Sequence, residues 1–110
     1  MITIEDFGKL EIKIGKILSS ERVEGTEKLL RLEVDFGSES GIGTRQIVSG
    51  IAQFYNPEEL VGKLCPFLVN LEPRMLKGIE SQGMLVAASV AGNCVLLHPD
   101  TDVPAGTPIK

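Results

Sequence analysis

The chain has no tryptophan, a single histidine, only two cysteines and no long hydrophobic run. Cys65 and Cys94 lie far apart in apolar surroundings and form no CxxC pair, which predicts reduced core thiols rather than a disulfide or a metal site. No apolar stretch reaches the roughly 18 residues of a membrane span. The N-terminus also lacks the basic and then apolar pattern of a signal peptide. We therefore expect a cytoplasmic protein with no membrane partner.

Sequence motifs for catalysis are also missing. There is no Gly-x-Ser-x-Gly elbow and no phosphate loop ending in Gly-Lys-Ser/Thr. Residues 41–43, Gly-Ile-Gly, lack the third glycine and the following helix of a dinucleotide site. His98 precedes a proline and has no cysteine or aspartate at metal-ligand spacing, which favours a structural or solvent-exposed role. We predict no catalytic residue, no metal ligand and no cofactor.

The composition is that of a folded domain with an aliphatic core. Apolar residues make up 43% of the 110 residues and charged residues 24%, a balance that argues against disorder. Aromatic residues are only 5%, so the core must come from Ile, Leu and Val. This length predicts a single domain over residues 1–110.

The net charge of −4 favours a partner other than nucleic acid, because phosphate binding draws on Lys and Arg. Eleven basic residues are nevertheless present, scattered along the chain. Only a fold that gathers some of them on one face would make a nucleic-acid site.

Alternating hydrophobicity predicts three strands in the first half of the chain. Residues 10–14 and 30–36 alternate apolar and charged side chains, and residues 45–48 form a third candidate strand. The first pattern slips at Gly15-Lys16, which indicates a bulge or a sharp bend. Residues 37–43 are rich in Gly and Ser, which predicts the tip of a hairpin between the second and third strands.

Two short helices are predicted from capping signals. Thr3 is followed three residues later by Asp6, the pattern of a capping box, and Gly8 ends that helix. Asn56 precedes Pro57 and two acids, which is typical of a helix N-terminus.

Three further strands are predicted in the second half. Residues 64–71 form the fourth strand, in which Pro66 favours an edge or the strand start. Residues 84–90 form a continuous apolar run, which predicts a buried strand, and residues 95–97 a shorter one. The Pro-rich residues 98–108 are predicted to be irregular.

The order of these elements, with a helix between the third and fourth strands, matches an OB-fold. We therefore predict an all-β chain: a five-stranded Greek-key barrel with short helices and an irregular C-terminal extension. Another small β-barrel or a β-sandwich is the competing architecture.

A polar segment between two apolar runs, residues 70–83, is the best candidate for a binding site. Arg74 and Lys77 have the charge to contact phosphates, and Ser81 and Gln82 have the groups to hydrogen-bond sugar or base edges. Three of these residues have an alternative role: Arg74 and Lys77 could be a solvated pair of surface charges, and Ser81 could cap a turn. Met84 is either core or a contact for a base.

Several segments resemble, in the same order, the motifs of the tRNA-binding OB-fold domain family. The first three candidate strands and the helix near residues 57–62 carry part of the likeness. The most specific parts are residues 70–73, Asn-Leu-Glu-Pro, and residues 78–84, Gly-Ile-Glu-Ser-Gln-Gly-Met. The family includes the C-terminal domain or β chain of methionyl-tRNA synthetase and stand-alone bacterial tRNA-binding proteins.

The resemblance implies a non-catalytic homodimer that binds tRNA by its shape, without reading an anticodon. It implies either a stand-alone tRNA-binding protein or a β chain that raises the tRNA affinity of a methionyl-tRNA synthetase catalytic chain. By their positions in the family motifs, the residues near the RNA are Lys28, Arg45, Ser49, Asn70, Lys77, Ser81 and Met84. Asn70 has a second role open to it, which is to lock the loop through its amide.

Two departures from the family pattern lower the local positive charge. In the loop, Met75 stands where a basic residue is frequent, and Glu72 adds a negative charge. Before Gly25, the family's frequent His-Pro is replaced by Val23-Glu24. Two alternative functions stay open. One is a dimeric peptide-binding secretion chaperone on the same fold, and the other is an assembly protein that has lost the basic face.

Overall fold

The computed structural model describes all residues, 1–110, and shows a nearly closed β-barrel flanked by two hairpins. Its elements, in chain order, are α1 (Ile4–Phe7), β1 (Ile12–Arg22), β2 (Leu30–Asp35), β3 (Thr44–Ser49), α2 (Pro57–Leu60), β4 (Leu64–Leu68), β5 (Arg74–Leu76), β6 (Ile79–Ser81), β7 (Met84–Leu85), β8 (Ala87–Val90), β9 (Asn93–Leu96) and β10 (Pro108–Ile109).

The main sheet has the order β3-β2-β1-β4-β7, and β10 pairs with the start of β1. Strand β1 changes partner along its length: residues 12–16 pair with β4, and residues 16–22 pair with β2. A strand shared in this way must coil strongly, which curls the sheet into a barrel. The helix α2 lies between β3 and β4. The predicted OB-type architecture is confirmed.

Gly15 allows the coiling of β1 because its neighbours leave no room for a side chain. A Cβ at this position would overlap Val34 Cγ1 and lie 2.7 Å from the Phe36 ring. The predicted bend at Gly15-Lys16 coincides with the change of partner. The irregular register itself lies slightly later than predicted, between Ile17 and Ser19.

The core is built mostly from Ile, Leu and Val side chains, as the composition predicted. Two of the few aromatic residues lie at its centre, where Phe36 and Phe67 make an edge-to-face contact with ring centroids 5.6 Å apart. Cys65 is fully buried in this core and Cys94 is partly buried against it, both as free thiols.

Both predicted helix starts are confirmed. Thr3 accepts from the Asp6 N–H and the Asp6 carboxylate accepts from the Thr3 N–H, and Gly8 caps the end of α1. At α2, the Glu59 side chain accepts from the Asn56 N–H. Neither helix has the length and hydrophobicity needed to cross a membrane.

The prediction that Pro66 lies at an edge or a strand start was wrong. It lies inside β4, which is paired on both sides, and it faces Ile14 of β1. Ile14 directs its own N–H and carbonyl to Thr107 and Gly106. The missing N–H of the proline therefore leaves no group of Ile14 unpaired.

The predicted buried strand over residues 84–90 is two shorter strands. The run breaks at Val86, and β8 then forms a hairpin with β9 around Ala91 and Gly92, both with positive φ. A two-stranded hairpin covers only one of its faces, so Val90 and Val95 remain exposed. An apolar run alone does not distinguish this hairpin from a strand buried on both faces.

Candidate nucleic-acid interface

The predicted polar loop contains a regular hairpin, formed by β5 and β6 and called here the 74–81 hairpin. Its two-residue turn is Lys77-Gly78, with φ of 50° and 80°. Positive φ at both residues is what a type I′ turn needs, and this turn matches the twist of paired strands. Arg74 is thus held on a strand and Lys77 at the tip, rather than on a mobile loop.

Ser81 anchors this hairpin to the barrel. The residue is only 5% exposed, and its hydroxyl accepts from the Val48 N–H at 3.0 Å. The same hydroxyl donates to the Gly83 carbonyl at 2.9 Å. A serine hydroxyl therefore stands in for a strand partner of β3. The predicted contact of Ser81 with RNA is not supported by this position, because the hydroxyl is buried and already hydrogen-bonded.

Gln82 continues the same attachment with both its main chain and its side chain. Its N–H donates to the Gln46 carbonyl at 2.8 Å, and its Oε1 accepts from the Gln46 N–H at 3.0 Å. Gln46 Nε2 in turn donates to the Glu80 carbonyl at 2.8 Å. These bonds of Ser81, Gln82 and Gln46 are called here the β3 clasp. They close the barrel between β3 and the 74–81 hairpin.

A groove beside the clasp, called here the Arg45 groove, brings three of the predicted site residues together. It has a volume of about 560 Å³, and Arg45, Asn70 and Gln82 all line it. Lys13 of β1 lines it too, although sequence reasoning missed this residue. The alternation of charged and apolar residues in β1 could have indicated Lys13, because it places Lys13 and the buried Ile14 on opposite faces of the strand.

Two of these side chains have structural roles that sequence reasoning left open or missed. Asn70 uses both ends of its amide within the protein: Oδ1 accepts from the Glu11 N–H at 2.9 Å, and Nδ2 donates to the Lys9 carbonyl at 2.7 Å. This is the locking role considered for it. Arg45 Nη1 donates to the carbonyls of Val69 and Gln82. The other guanidinium donors of Arg45 have no protein partner and remain free for an anion.

The other predicted site residues lie apart from the Arg45 groove. Lys28 is exposed just before β2, where its carbonyl accepts from the Ala52 N–H. Ser49 ends β3 half-buried, and Met84, paired with Leu68, is 47% exposed. Their contacts with RNA stay predictions.

Charge at this interface is local rather than spread over one large basic face. In the Arg45 groove, Glu11 and Glu72 offset Lys13 and Arg45. The protein has two ion pairs, Lys9 with Asp6 and Arg31 with Glu21. The exposed cations of the 74–81 hairpin, Arg74 and Lys77, belong to neither pair. Their charges are therefore available to phosphates.

A cysteine and a histidine meet elsewhere in the structure, but not as a nucleophile and its base. Cys65 Sγ lies 3.7 Å from His98 Nδ1, and that nitrogen is 2.7 Å from the Leu64 carbonyl oxygen. A carbonyl only accepts, so Nδ1 carries the proton and cannot take one from the thiol. Burial raises the pKa of Cys65 to about 11, against the opposing effect of the Lys63 ammonium. The thiol is therefore protonated at neutral pH and unreactive.

Comparison with known proteins identifies the family of this chain. The family model described as "Putative tRNA binding domain" matches residues 12–108. The chain belongs to this tRNA-binding family. The methionine–tRNA ligase of Methanospirillum hungatei is 55% identical over 109 residues, which is 99% of the chain and 16% of that ligase. The methionine–tRNA ligase of Thermotoga maritima is 49% identical over 109 residues, 99% of the chain and 17% of that ligase.

Solved structures of the same family match over the whole chain. A methionyl-tRNA-synthetase-related protein from Pyrococcus horikoshii superposes with a TM-score of 0.92 at 39% identity, covering 100% of this chain and 98% of that one. The chaperone CsaA from Bacillus anthracis superposes with a TM-score of 0.89 at 34% identity, covering 100% and 99%. The chain spans about a sixth of the length of the ligases it matches, and the tRNA-binding family model covers most of the matched part.

Proposed function

We propose that this tRNA-binding domain recognises tRNA by its shape and holds it mainly through the 74–81 hairpin and the Arg45 groove. The observation that carries this proposal is the placement of Arg74 and Lys77, two exposed cations without ion-pair partners, on a hairpin that the β3 clasp fixes to the barrel. A fixed cation loses less conformational entropy when it meets a phosphate than one on a mobile loop.

The Arg45 groove supplies groups of a second kind. Arg45 keeps free guanidinium donors, and the Gln82 Nε2 has no protein partner. Amide and guanidinium donors suit 2′-hydroxyl and phosphate oxygens, which every RNA presents whatever its sequence. The two acids in the groove disfavour phosphates deep inside it, so the RNA backbone is expected to follow the hairpin and the rim.

The first test is a titration with a mixed tRNA pool at several salt concentrations. Replacing Arg74→Ala together with Lys77→Ala should remove about two phosphate contacts. The slope of log affinity against log salt should then become less steep by roughly 1.4–1.8, since each contact contributes about 0.7–0.9. Fluorescence anisotropy of labelled tRNA measures this slope.

Lys9→Ala with Lys110→Ala is the control for net charge, because it removes the same formal charge from two exposed positions outside the hairpin. It should leave the slope close to that of the unaltered protein. Equal slopes for the two double variants would mean that overall charge, not the hairpin, binds the RNA. No tRNA binding even at low salt would contradict the proposed function itself.

We also propose that the chain acts in the cytoplasm as an accessory to methionyl-tRNA synthesis, either free-standing or bound to a methionyl-tRNA synthetase catalytic chain. Its similarity to part of methionine–tRNA ligases, and over its full length to the Pyrococcus protein, supports this role. By raising the local tRNA concentration near a catalytic chain, such a domain would strengthen tRNA binding without contacting the reacting atoms.

Dimerisation is proposed to involve the apolar surface around the two chain ends. Ile4, Leu10 and Ile109 are large side chains with 78%, 43% and 37% exposure, and together they border one groove of about 590 Å³. Met1 and Ile2 are also exposed nearby in sequence. Contiguous exposed apolar surface of this kind is typical of protein interfaces.

Ile4→Glu should therefore halve the mass measured by light scattering, because it places a charge in the proposed interface. Val90→Glu is the control, since Val90 is also exposed and apolar but lies on the β8–β9 hairpin. A dimer that is disrupted by Val90→Glu and not by Ile4→Glu would place the interface on the other surface. A monomeric unaltered protein would contradict dimerisation.

The second candidate function is peptide binding by a dimeric chaperone. The full-length match to CsaA favours it, since that protein is named a chaperone. Peptide binding measured without any tRNA binding would select this alternative.

A further inference from the structure

A second groove lies at the junction of α2, β4 and the C-terminal extension, away from the Arg45 groove. It has a volume of about 560 Å³, and the two grooves share no lining residue. Its polar side chains are those of Lys16, Lys63, His98 and Asp102, and this group of residues is called here the Lys16–Lys63 pocket.

The main chain fixes the two lysine-bearing segments side by side. The Ile17 N–H donates to the Lys63 carbonyl at 3.0 Å, and the Gly62 N–H donates to the Ile17 carbonyl at 2.7 Å. These two bonds hold the segment just after Lys16 against the segment that contains Lys63. Lys63 is only half-exposed, and its Nζ lies 5.9 Å from the centroid of the Tyr55 ring, a contact that restrains its side chain.

His98 is held in the same pocket in a defined orientation. Its Nδ1 is bound to the Leu64 carbonyl at 2.7 Å, so Nε2 is the ring nitrogen left without a protein partner. A histidine fixed through one nitrogen presents the other to a ligand without losing further rotational freedom on binding.

The charges that line the pocket favour an anion. Neither Lys16 nor Lys63 belongs to an ion pair, and Asp102 is the one acid among the lining residues. No hydrogen bond within the protein uses the main-chain N–H of Asp102 or Val103, so these groups too are free to donate. Two ammonium groups and free amides form a donor set typical of phosphate sites.

We propose that the Lys16–Lys63 pocket binds a phosphate group, separately from the 74–81 hairpin. The volume exceeds that of a single phosphate, so the group belongs either to a small phosphorylated molecule or to a backbone segment of RNA. This proposal does not depend on tRNA being the ligand of the Arg45 groove.

The test is a titration of ¹⁵N-labelled protein with inorganic phosphate at constant ionic strength, with chloride as the reference anion. Saturable shifts are expected at the amides of Gly62, Lys63 and Val103. Lys16→Ala with Lys63→Gln should weaken binding at least about tenfold, the effect of losing charged hydrogen bonds. Asp102→Asn should strengthen binding, because it removes the opposing charge.

The control is Lys9→Ala with Lys110→Ala, which changes the net charge equally and should leave the shifts in place. Spectra of each variant without phosphate verify that the barrel is folded. Absent or unsaturable shifts, or shifts that survive the Lys16→Ala and Lys63→Gln changes, would overturn the proposal.

A parallel tRNA titration distinguishes the two sources of the phosphate. If Lys16→Ala with Lys63→Gln also lowers the salt slope of tRNA binding, the pocket contacts the RNA backbone. If tRNA binding is unchanged while phosphate binding is lost, the pocket takes a small phosphorylated molecule. Phosphate shifts in a protein that binds no tRNA would support the pocket and reject the proposed tRNA function.

Discussion

Replacing Gly106→Ala should lower the free energy of unfolding by about 2–5 kcal/mol. Gly106 has a φ of +91°, which an alanine adopts only with strain, and an added Cβ would overlap the Phe36 carbonyl oxygen. The backbone must shift to accept it, yet the Gly106 N–H is bonded to the Ile14 carbonyl at 2.7 Å. Since small domains are stable by only about 5–15 kcal/mol, much of the total would be lost. Urea denaturation followed by circular dichroism measures the change.

Gly25→Ala is the matched control for this change. Gly25 has a similar φ of +82°, but an added Cβ would meet no atom within 4 Å. The control therefore carries the backbone strain without the overlap and should cost about 1–2 kcal/mol. Equal losses of stability in the two variants would show that residue 106 lies farther from the Phe36 carbonyl oxygen than it does in the structure.

The second large effect is expected for Ser81→Ala, with a loss of about 1–3 kcal/mol of stability. The substitution leaves the buried Val48 N–H without its acceptor and removes one of the bonds of the β3 clasp. The tRNA affinity of the folded variant at low temperature should change far less than that of the Arg74→Ala and Lys77→Ala variant, because the Ser81 hydroxyl is buried and already hydrogen-bonded within the protein.

Ser38→Ala provides the reference, since Ser38 is exposed in the loop between β2 and β3. Its stability should change by less than about 0.5 kcal/mol. A Ser81→Ala protein of normal stability but greatly reduced tRNA affinity would restore the original interpretation of Ser81 as an RNA contact.

The parts of the fold that sequence reasoning predicted correctly depend on short-range signals. The cap of α1 needs only Thr3 and Asp6, three residues apart, and the pattern of β2 is a strict alternation within six residues. The order of strands and helix then indicated the OB-type barrel. The hairpin of β8 and β9 was missed because a run of apolar residues does not reveal which faces are covered.

The predicted binding segment forms a hairpin fixed to the barrel, but the internal hydrogen bonds of its residues were not predicted. Ser81 and its partner Val48 are 33 residues apart, and Gln82 reaches Gln46 across a similar gap. No local pattern reports that a side chain replaces a strand partner at such a separation. The sequence alone is therefore equally compatible with a polar residue that contacts a ligand and one that joins two parts of the fold. Only the hydrogen bonds of that residue in the structure distinguish the two roles.

The pairing of β10 with β1 has a consequence for the order in which the barrel closes. Ile12 and Ile109 are neighbours in the sheet, although they lie far apart in the sequence. One edge at the start of β1 therefore stays uncovered until β10 docks. Closure of so long a loop is slow, and an open strand edge invites pairing with other unfolded chains. Temporary shielding of that edge would protect the yield of correctly assembled barrels.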